Sequence, residues 1–136
     1  MVDDVLIAKA ETIERCIKRI HEEYRNQPEN IYTNYTTQDS ILVNIERICQ
    51  AAIDMAMRLV RLKKLGIPKE TRDAFDLLST HHIIEPALNE TLKRMVGFRN
   101  IAIHEYQKIN LSIVEHIIHK ELQHVQTFAQ LAIQTK

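Results

Sequence analysis

Only two glycines and three prolines occur among the 136 residues of this chain, so few positions favour a sharp turn. That scarcity disfavours a loop-rich or all-β fold. Apolar residues make up 45% of the chain, close to the average of globular proteins, and the length suits one domain with a sizeable core. We therefore predict a single all-α domain over residues 1–136.

Apolar side chains recur every three or four residues along most of the chain, as in amphipathic helices. This period predicts a helix over about residues 4–24 and a longer one from about Thr37 to Leu65. Gly66 is expected to stop the second helix, because glycine readily adopts the left-handed conformation that follows many helix ends. The stretch from Gln27 to Thr37 has no such period and reads as a loop.

The second half of the chain contains three more helix signals. Pro68 and Pro86 each suit the first position of a helix, and the first of these helices is expected to be short. After a gap near residues 108–111, Ser112 and Glu115 match a capping box for the last helix. Four main helices and one short helix, joined by short connections, predict an up-and-down antiparallel helical bundle.

Charge and cysteine usage limit the compartment and the partners. Lys plus Arg and Asp plus Glu both number 18, so no global basic field attracts nucleic acid, and any positive surface must be local. The basic run 58–64 reads as a solvated helix end, or alternatively as a lip that guides an RNA backbone. Cys16 and Cys49 lie on apolar stripes and are expected to be buried thiols. No apolar run reaches membrane-spanning length and residues 1–30 are charged throughout, so a cytoplasmic protein is expected.

The segment 97–106, at the end of the fourth main helix, concentrates groups suited to chemistry. Arg99 continues an apolar stripe, where a guanidinium requires an anionic partner. Asn100 and His104 are one helical turn apart. Arginine binds phosphate through two parallel hydrogen bonds, and histidine exchanges protons near neutral pH. Together they can cleave RNA without a metal: the ribose 2′-hydroxyl attacks phosphorus, arginine stabilises the phosphoryl charge and an acid protonates the leaving oxygen.

The letters of this segment resemble the R-x4-H signature of the HEPN superfamily of helical ribonucleases. They are most similar to the HepT-like toxins, whose motif extends to R-N-x3-H-x-Y; here these residues are Arg99, Asn100, His104 and Tyr106. The resemblance implies a metal-independent endoribonuclease toxin that needs no cofactor. It assigns catalysis to Arg99 and His104, and a supporting, substrate-positioning role to Asn100.

The same resemblance implies the partners. HepT-like toxins pair with a minimal nucleotidyltransferase (MNT) antitoxin, which is thought to attach AMP to the motif tyrosine, here Tyr106. The resemblance also implies a homodimer in which the two motifs face one cleft that takes RNA. A single Arg and His make a sparse site, so pairing two copies would supply two of each.

Structural readings of the same residues stay open at this point. Arg99 could pair with a core carboxylate such as Asp54 or Asp76, and His104 could be a histidine that stabilises a helix end. Asn100 could bond a neighbouring helix, and Tyr106 could pack with its hydroxyl in water. If these readings held, the bundle would be a non-catalytic adaptor that docks a nucleotidyltransferase or another helix.

Two sets of side chains have spacings that suit a metal ion. His81, His82 and Glu85 form one, and His116 and His119, three residues apart, form the other. Histidine pairs arise easily by chance in a chain with seven histidines, and no E-x-x-H set of a di-iron bundle is present. We expect solvated helix faces and no metal, with a metal-binding bundle as a third possibility.

Overall fold

A computed structural model describes residues 3–104 and 109–135, and this part of the chain forms helices without any strand. The predicted all-α bundle is thereby confirmed. None of the helices in the described part combines the length and the apolar character needed to cross a membrane. The elements in chain order are α1 (Asp4–Arg25), α2 (Asn30–Thr33), α3 (Tyr35–Lys63), α4 (Thr71–Thr80), α5 (Pro86–His104), α6 (Leu111–His116), a π-helical turn (Ile117–Glu121) and α7 (Leu122–Gln134).

Helix α3 is the centre of the bundle and packs against α1, α4, α5 and α7. Two ion pairs fix its direction relative to α1: Asp3 contacts Arg58 at 2.7 Å, and Lys9 contacts Asp54 at 2.9 Å. Asp3, at the start of α1, meets the later of the two α3 positions, and Lys9 meets the earlier one. The two helices therefore run antiparallel, as predicted. Cys16 and Cys49 are buried free thiols, which confirms that prediction.

The connection between α1 and α3 is more helical than predicted. The helix α2 lies inside the stretch read as a loop, and Ile31 within it is only 1% exposed. The side chain of Asn34 accepts a hydrogen bond from the backbone N–H of Thr37 at 3.1 Å and starts α3 at Tyr35. The loop prediction was wrong here because a four-residue helix is too short to show a period, although burying one side chain is enough to hold it in place.

The end of α3 does not use the glycine. Lys64 has φ of 55° and ψ of 48°, and its N–H bonds to the carbonyls of Arg61 and Val60, so the helix ends at Lys63. The prediction that Gly66 stops the helix after Leu65 was therefore wrong. Gly66 instead has φ of 141°, a conformation that L side chains rarely adopt, in the connection that leads to α4.

The two prolines differ in their role. Pro86 begins α5 as predicted, whereas α4 begins at Thr71 and not at Pro68. The Asp73 carboxylate accepts hydrogen bonds from the backbone N–H groups of Lys69, at 2.9 Å, and Glu70, at 3.1 Å. The side chain of Asp73, inside the first turn, therefore positions the start of α4 downstream of Pro68.

The last helix begins with a different cap from the predicted one. The side chain of Asn110 accepts a hydrogen bond from the Ser112 N–H at 2.9 Å, so Asn110 is the N-cap and the predicted capping box is wrong. The Glu115 carboxylate instead accepts hydrogen bonds from the hydroxyls of Tyr24 and Tyr32. These bonds hold the pKa of Glu115 below its usual range and tie α6 to α1 and α2.

A π-helical turn separates α6 from α7, which the sequence period did not predict. Glu121, the last residue of this turn, is 7% exposed. One of its oxygens lies 3.0 Å from Nε2 of His116, and Arg94 on α5 approaches to 3.6 Å. The turn thus places a carboxylate inside the bundle, against a cation from the neighbouring helix.

Candidate functional site

The motif arginine lies on the side of α5 that contacts α3. Arg99 lies on α5 and is partly buried, and its Nη2 donates a 2.6 Å hydrogen bond to Oε1 of Gln50 on α3. The amide nitrogen of Gln50 donates in turn to Asp54 at 2.8 Å, and Asp54 pairs with Lys9 at 2.9 Å. A line of polar contacts therefore runs from the motif across α3 to α1.

Neither carboxylate considered for Arg99 contacts its guanidinium directly. Asp54 is reached only through Gln50, and Asp76 accepts hydrogen bonds from Asn89 at 2.9 Å and Lys93 at 3.0 Å. The alternative in which Arg99 pairs with one of these carboxylates does not hold for the described residues, because a neutral amide occupies that position. A guanidinium that bonds an amide keeps its full positive charge for an external anion, and a phosphate suits its geometry.

A second feature of Arg99 also indicates unused binding capacity. Its Nε is buried and has no hydrogen-bond partner among the described residues. Buried polar atoms are normally paired, and an exception requires an explanation such as a ligand or water. Arg99 thus has one side fixed by Gln50 and a further donor left unpaired.

Asn100 and His104 occupy a different side of α5 from Arg99. Both side chains are exposed, and their spacing of four residues places them next to each other on the helix surface. His104 lies five positions after Arg99, which is a rotation of about 140° around the helix axis. The structure therefore brings Asn100 and His104 together but does not direct Arg99 to the same face. The predicted modification residue, Tyr106, lies outside the described residues.

The surroundings of the motif include residues that the sequence did not single out. A Cβ atom on Gly97 would lie 2.9 Å from Nη2 of Arg72, so the absence of a side chain there leaves room for a second guanidinium, from α4. Ile101 and Ile103 are 45% and 44% exposed beside His104. No local sequence signal marks Arg72 or Gln50, because their contacts with α5 are formed between distant parts of the chain.

Cys49 lies beneath the motif without chemical activity of its own. Its Sγ contacts the carbonyl of Met95 at 3.5 Å. Burial raises the pKa of this thiol to about 12, and the positive charge of Arg99 only partly opposes that effect. The thiol stays protonated at neutral pH, so Cys49 serves packing and is not a nucleophile.

The histidines considered as metal ligands are not gathered into a site. Across residues 3–104 and 109–135 there is no group of three or more His, Cys, Asp or Glu side chains placed to hold a metal ion. His119 approaches the hydroxyl of Tyr24 at 3.1 Å, and His116 contacts Glu121. These two histidines thus contact different residues although they are one turn apart in sequence.

Comparison with known proteins agrees with the motif and the fold. The model of a family described as ribonuclease HepT-like matches residues 13–132. A relative from Shewanella oneidensis, named mRNA nuclease HepT, is 42% identical over 127 residues, which cover 93% of this chain and 95% of the relative.

Solved structures give the same result. A crystal structure of a toxin–antitoxin with AMP-PNP contains a chain that is 41% identical, with a TM-score of 0.91 over 96% of this chain and 98% of the other. The tri-AMPylated Shewanella oneidensis HEPN toxin in complex with MNT antitoxin is 42% identical, with a TM-score of 0.90 over 95% and 96% of the two chains. With its motif, its helical bundle and these relatives in agreement, the chain belongs to the HepT-like family of HEPN proteins.

Proposed function

We propose that this protein is the toxin of a toxin–antitoxin pair, an endoribonuclease that cleaves RNA without a metal ion. The observation that carries the proposal is the pairing of Arg99: its guanidinium bonds to the neutral Gln50, and its Nε has no hydrogen-bond partner among the described residues. The guanidinium therefore keeps a full charge, on the same helix as an exposed histidine. The 42% identity to a relative named as an mRNA nuclease supports RNA as the substrate.

The proposed reaction is an internal transesterification. The 2′-oxygen of a ribose attacks the adjacent phosphorus, the bond from phosphorus to the 5′-oxygen breaks, and a 2′,3′-cyclic phosphate forms. His104 assists the transfer of protons, from the 2′-hydroxyl or to the departing 5′-oxygen. Arg99 stabilises the charge that gathers on the phosphoryl oxygens, and Asn100 beside His104 positions the substrate.

We infer that two copies of the chain complete the site. Arg99 and His104 point about 140° apart around α5, so a single copy does not direct both toward one phosphate. A second α5 facing the first would supply histidine from one copy opposite arginine from the other. The exposed side chains of Ile101 and Ile103 next to His104 offer apolar surface for that contact.

The partner that restrains the toxin is, in this proposal, an MNT antitoxin. The relative solved as a tri-AMPylated toxin with its MNT antitoxin supports this. In the modification step the Tyr106 oxygen attacks the α-phosphorus of ATP, pyrophosphate leaves and the phenolic proton passes to a base. The adduct adds bulk and a negative charge seven residues from Arg99, where it would compete with RNA for the guanidinium.

The deciding experiment is incubation of the pure protein with bulk RNA in EDTA, beside a His104→Ala variant prepared in the same way. Cleavage by the wild type and none by the variant is the expected result. Intact RNA in both reactions, with retained binding to the antitoxin, would favour the alternative of a non-catalytic helical adaptor that docks a nucleotidyltransferase. Cleavage by both proteins would indicate a contaminating nuclease and contradict the role of His104.

A further inference from the structure

A groove between α1 and α3 concentrates positive charge in a chain that is neutral overall. Three arginines line it, Arg15 and Arg19 from α1 and Arg47 from α3, and its volume is about 650 Å³. Asp39 is the one carboxylate among the described residues of the lining. We name this surface the arginine groove.

The positive charge in the arginine groove is only weakly compensated. Arg19 forms a long contact of 3.7 Å with Glu23, and its side chain is 61% exposed. Within the part of the chain that the structure describes, Arg15 and Arg47 form no ion pair. Arg15 and Arg19 are also one helical turn apart, where like charges repel each other. All three arginines are exposed, so their charge is available to an anionic ligand.

The guanidinium groups of Arg15 and Arg47 act on a common point at the base of the groove. Cys16 lines the groove and is buried. Burial raises the pKa of its thiol, and the positive charges of Arg47 and Arg15 act in the opposite direction. The positive fields of Arg15 on α1 and Arg47 on α3 therefore overlap at Cys16.

A neighbouring groove of similar size shows that this charge is not general. It lies along α1 toward α7 with a volume of about 680 Å³, and we name it the mixed groove. Its cations include Lys18 and Arg25, but the carboxylates of Glu14 and Glu22 line it as well. The mixed groove therefore has no positive excess, in contrast to the arginine groove.

The arginine groove leads toward the motif. Arg47 and Gln50 are three residues apart on α3, so they are neighbours on its surface, and Gln50 accepts the hydrogen bond of Arg99. The groove also carries hydroxyl and amide groups, from Thr12, Ser40 and Asn44, and Val43 is the one exposed large apolar side chain among its described lining residues. Polar groups with arginines suit a sugar–phosphate backbone better than a protein surface, whose core is usually apolar.

We propose that the arginine groove binds the phosphodiester backbone of single-stranded RNA and leads it to the motif arginine. This inference rests on the proposed function, since it extends the same site to a longer segment of substrate. Arg15 and Arg47 each bind a phosphate, and the surrounding hydroxyls bond to the sugar–phosphate backbone. The contacts are independent of base identity and contribute affinity rather than sequence preference.

The test measures binding separately from cleavage. The probe is a short fluorescein-labelled RNA whose riboses are 2′-O-methylated, so that its 2′-oxygen cannot attack, and its affinity is measured by fluorescence polarisation over a range of salt concentrations. For Arg15→Ala/Arg47→Ala we expect the slope of log affinity against log salt to fall by roughly 1.4, the counterion release of two phosphate contacts to a single strand. Arg15→Lys/Arg47→Lys should keep most of the slope. The matched control, Lys18→Ala/Arg25→Ala in the mixed groove, should leave it unchanged.

The other outcomes separate the two proposals. If the alanine pair binds the probe as the wild type does, the arginine groove is not an RNA site, whether or not the wild type cleaves RNA. An equal fall in the salt slope for the Lys18→Ala/Arg25→Ala control also overturns the proposal, because it would show a general charge effect. Unchanged RNA binding with lost binding to the antitoxin would make the groove a protein-docking surface. If the expected slopes appear but unmethylated RNA is not cut, the groove stands and the nuclease proposal fails.

Discussion

The guanidinium of Arg99 donates to the amide oxygen of Gln50 at 2.6 Å, and no described carboxylate bonds to it. This relationship orients the arginine from the side of α3 without neutralising it. An acidic residue at position 50 would give a stronger contact, because a charge-assisted bond is roughly twice as strong as a neutral one. It would also occupy the charge that a phosphate requires.

We therefore predict that Gln50→Glu lowers the rate of RNA cleavage by roughly tenfold or more, the scale set by a hydrogen bond to a charged group. Gln50→Ala, which removes the orienting bond but leaves the charge free, should have a smaller effect. Single-turnover cleavage and RNA affinity measured together distinguish the two, since Gln50→Glu should weaken RNA binding and Gln50→Ala should mainly slow the reaction. Faster cleavage by Gln50→Glu would contradict the positioning role.

Chelation and product analysis test the internal nucleophile. Cleavage should continue in EDTA, and the 5′ fragments should end in 2′,3′-cyclic phosphate, because the attacking oxygen belongs to the RNA itself. Mass spectrometry of the fragments provides the measurement, and RNA with 2′-O-methyl groups at every position is the matched control that should stay intact. A strict magnesium requirement, or products with 5′-phosphate ends, would rule out the mechanism.

Assembly can be tested through the apolar residues beside His104. We expect a dimer by light scattering at micromolar concentration, and we expect Ile101→Glu/Ile103→Glu to be monomeric and inactive, since buried charges oppose association. Ile67→Glu is the control, since Ile67 is 93% exposed. It follows the end of α3, and that end lies about 20 Å along the helix from Gln50. A fully active monomer would disprove the composite site.

The modification is tested at Tyr106. Incubation with the MNT antitoxin and ATP should add one or more AMP units to the wild type, as intact mass spectrometry would show, and none to Tyr106→Phe. The variant should keep much of its cleavage activity, because the aromatic ring that can stack on a base is retained. Equal labelling of the variant, or full activity of labelled wild type, would contradict the regulatory role of this residue.

The Glu115 contacts predict a pH-dependent stability. Hydrogen bonds from Tyr24 and Tyr32 lower the pKa of Glu115 in the folded protein, so the carboxylate stabilises the fold above its unfolded pKa of about 4.3 and loses this effect as the pH falls through the folded pKa. Glu115→Gln should reduce the free energy of unfolding by about 1–2 kcal/mol at pH 7, the scale of bonds to a charged acceptor. Urea denaturation at pH 7 and at pH 3 provides the comparison.

The control for that measurement is Glu11→Gln, since Glu11 is exposed on α1. It should change stability little at either pH. The difference between wild type and Glu115→Gln should shrink as the pH falls through the lowered pKa of Glu115 in the folded protein, because a protonated glutamate is neutral like glutamine. A difference that persists unchanged in acid would show that shape, rather than charge, accounts for the effect.

The sequence predicted the main helices because burying apolar side chains imposes a period that can be read locally. It did not predict the helix ends, which depend on competition between nearby groups. Lys64 adopts the left-handed conformation before Gly66 is reached, and Glu115 is drawn from a capping role into bonds with two tyrosines. Several residues were suited to each position, and packing decided between them.

The candidate site was likewise predicted from the sequence only in part. The motif residues Arg99, Asn100 and His104 were identified by their letters and spacing, and the structure places all three on α5. Gln50 was missed because it lies 49 residues before Arg99 and has no distinguishing spacing of its own. Contacts between distant positions come from the tertiary fold, so only the structure could show that the arginine bonds to an amide and not to an acid.

The charge pattern around the arginine groove has a consequence for molecular encounter. Because the whole chain is neutral, a surface with excess positive charge leaves an excess of negative charge on the remainder. The molecule therefore has an electric polarity: a long polyanion is attracted more strongly to the arginine groove than to the remainder of the surface. Such polarity rotates an approaching strand into alignment before contact and raises the rate of productive collisions, and this advantage fades as salt screens the field.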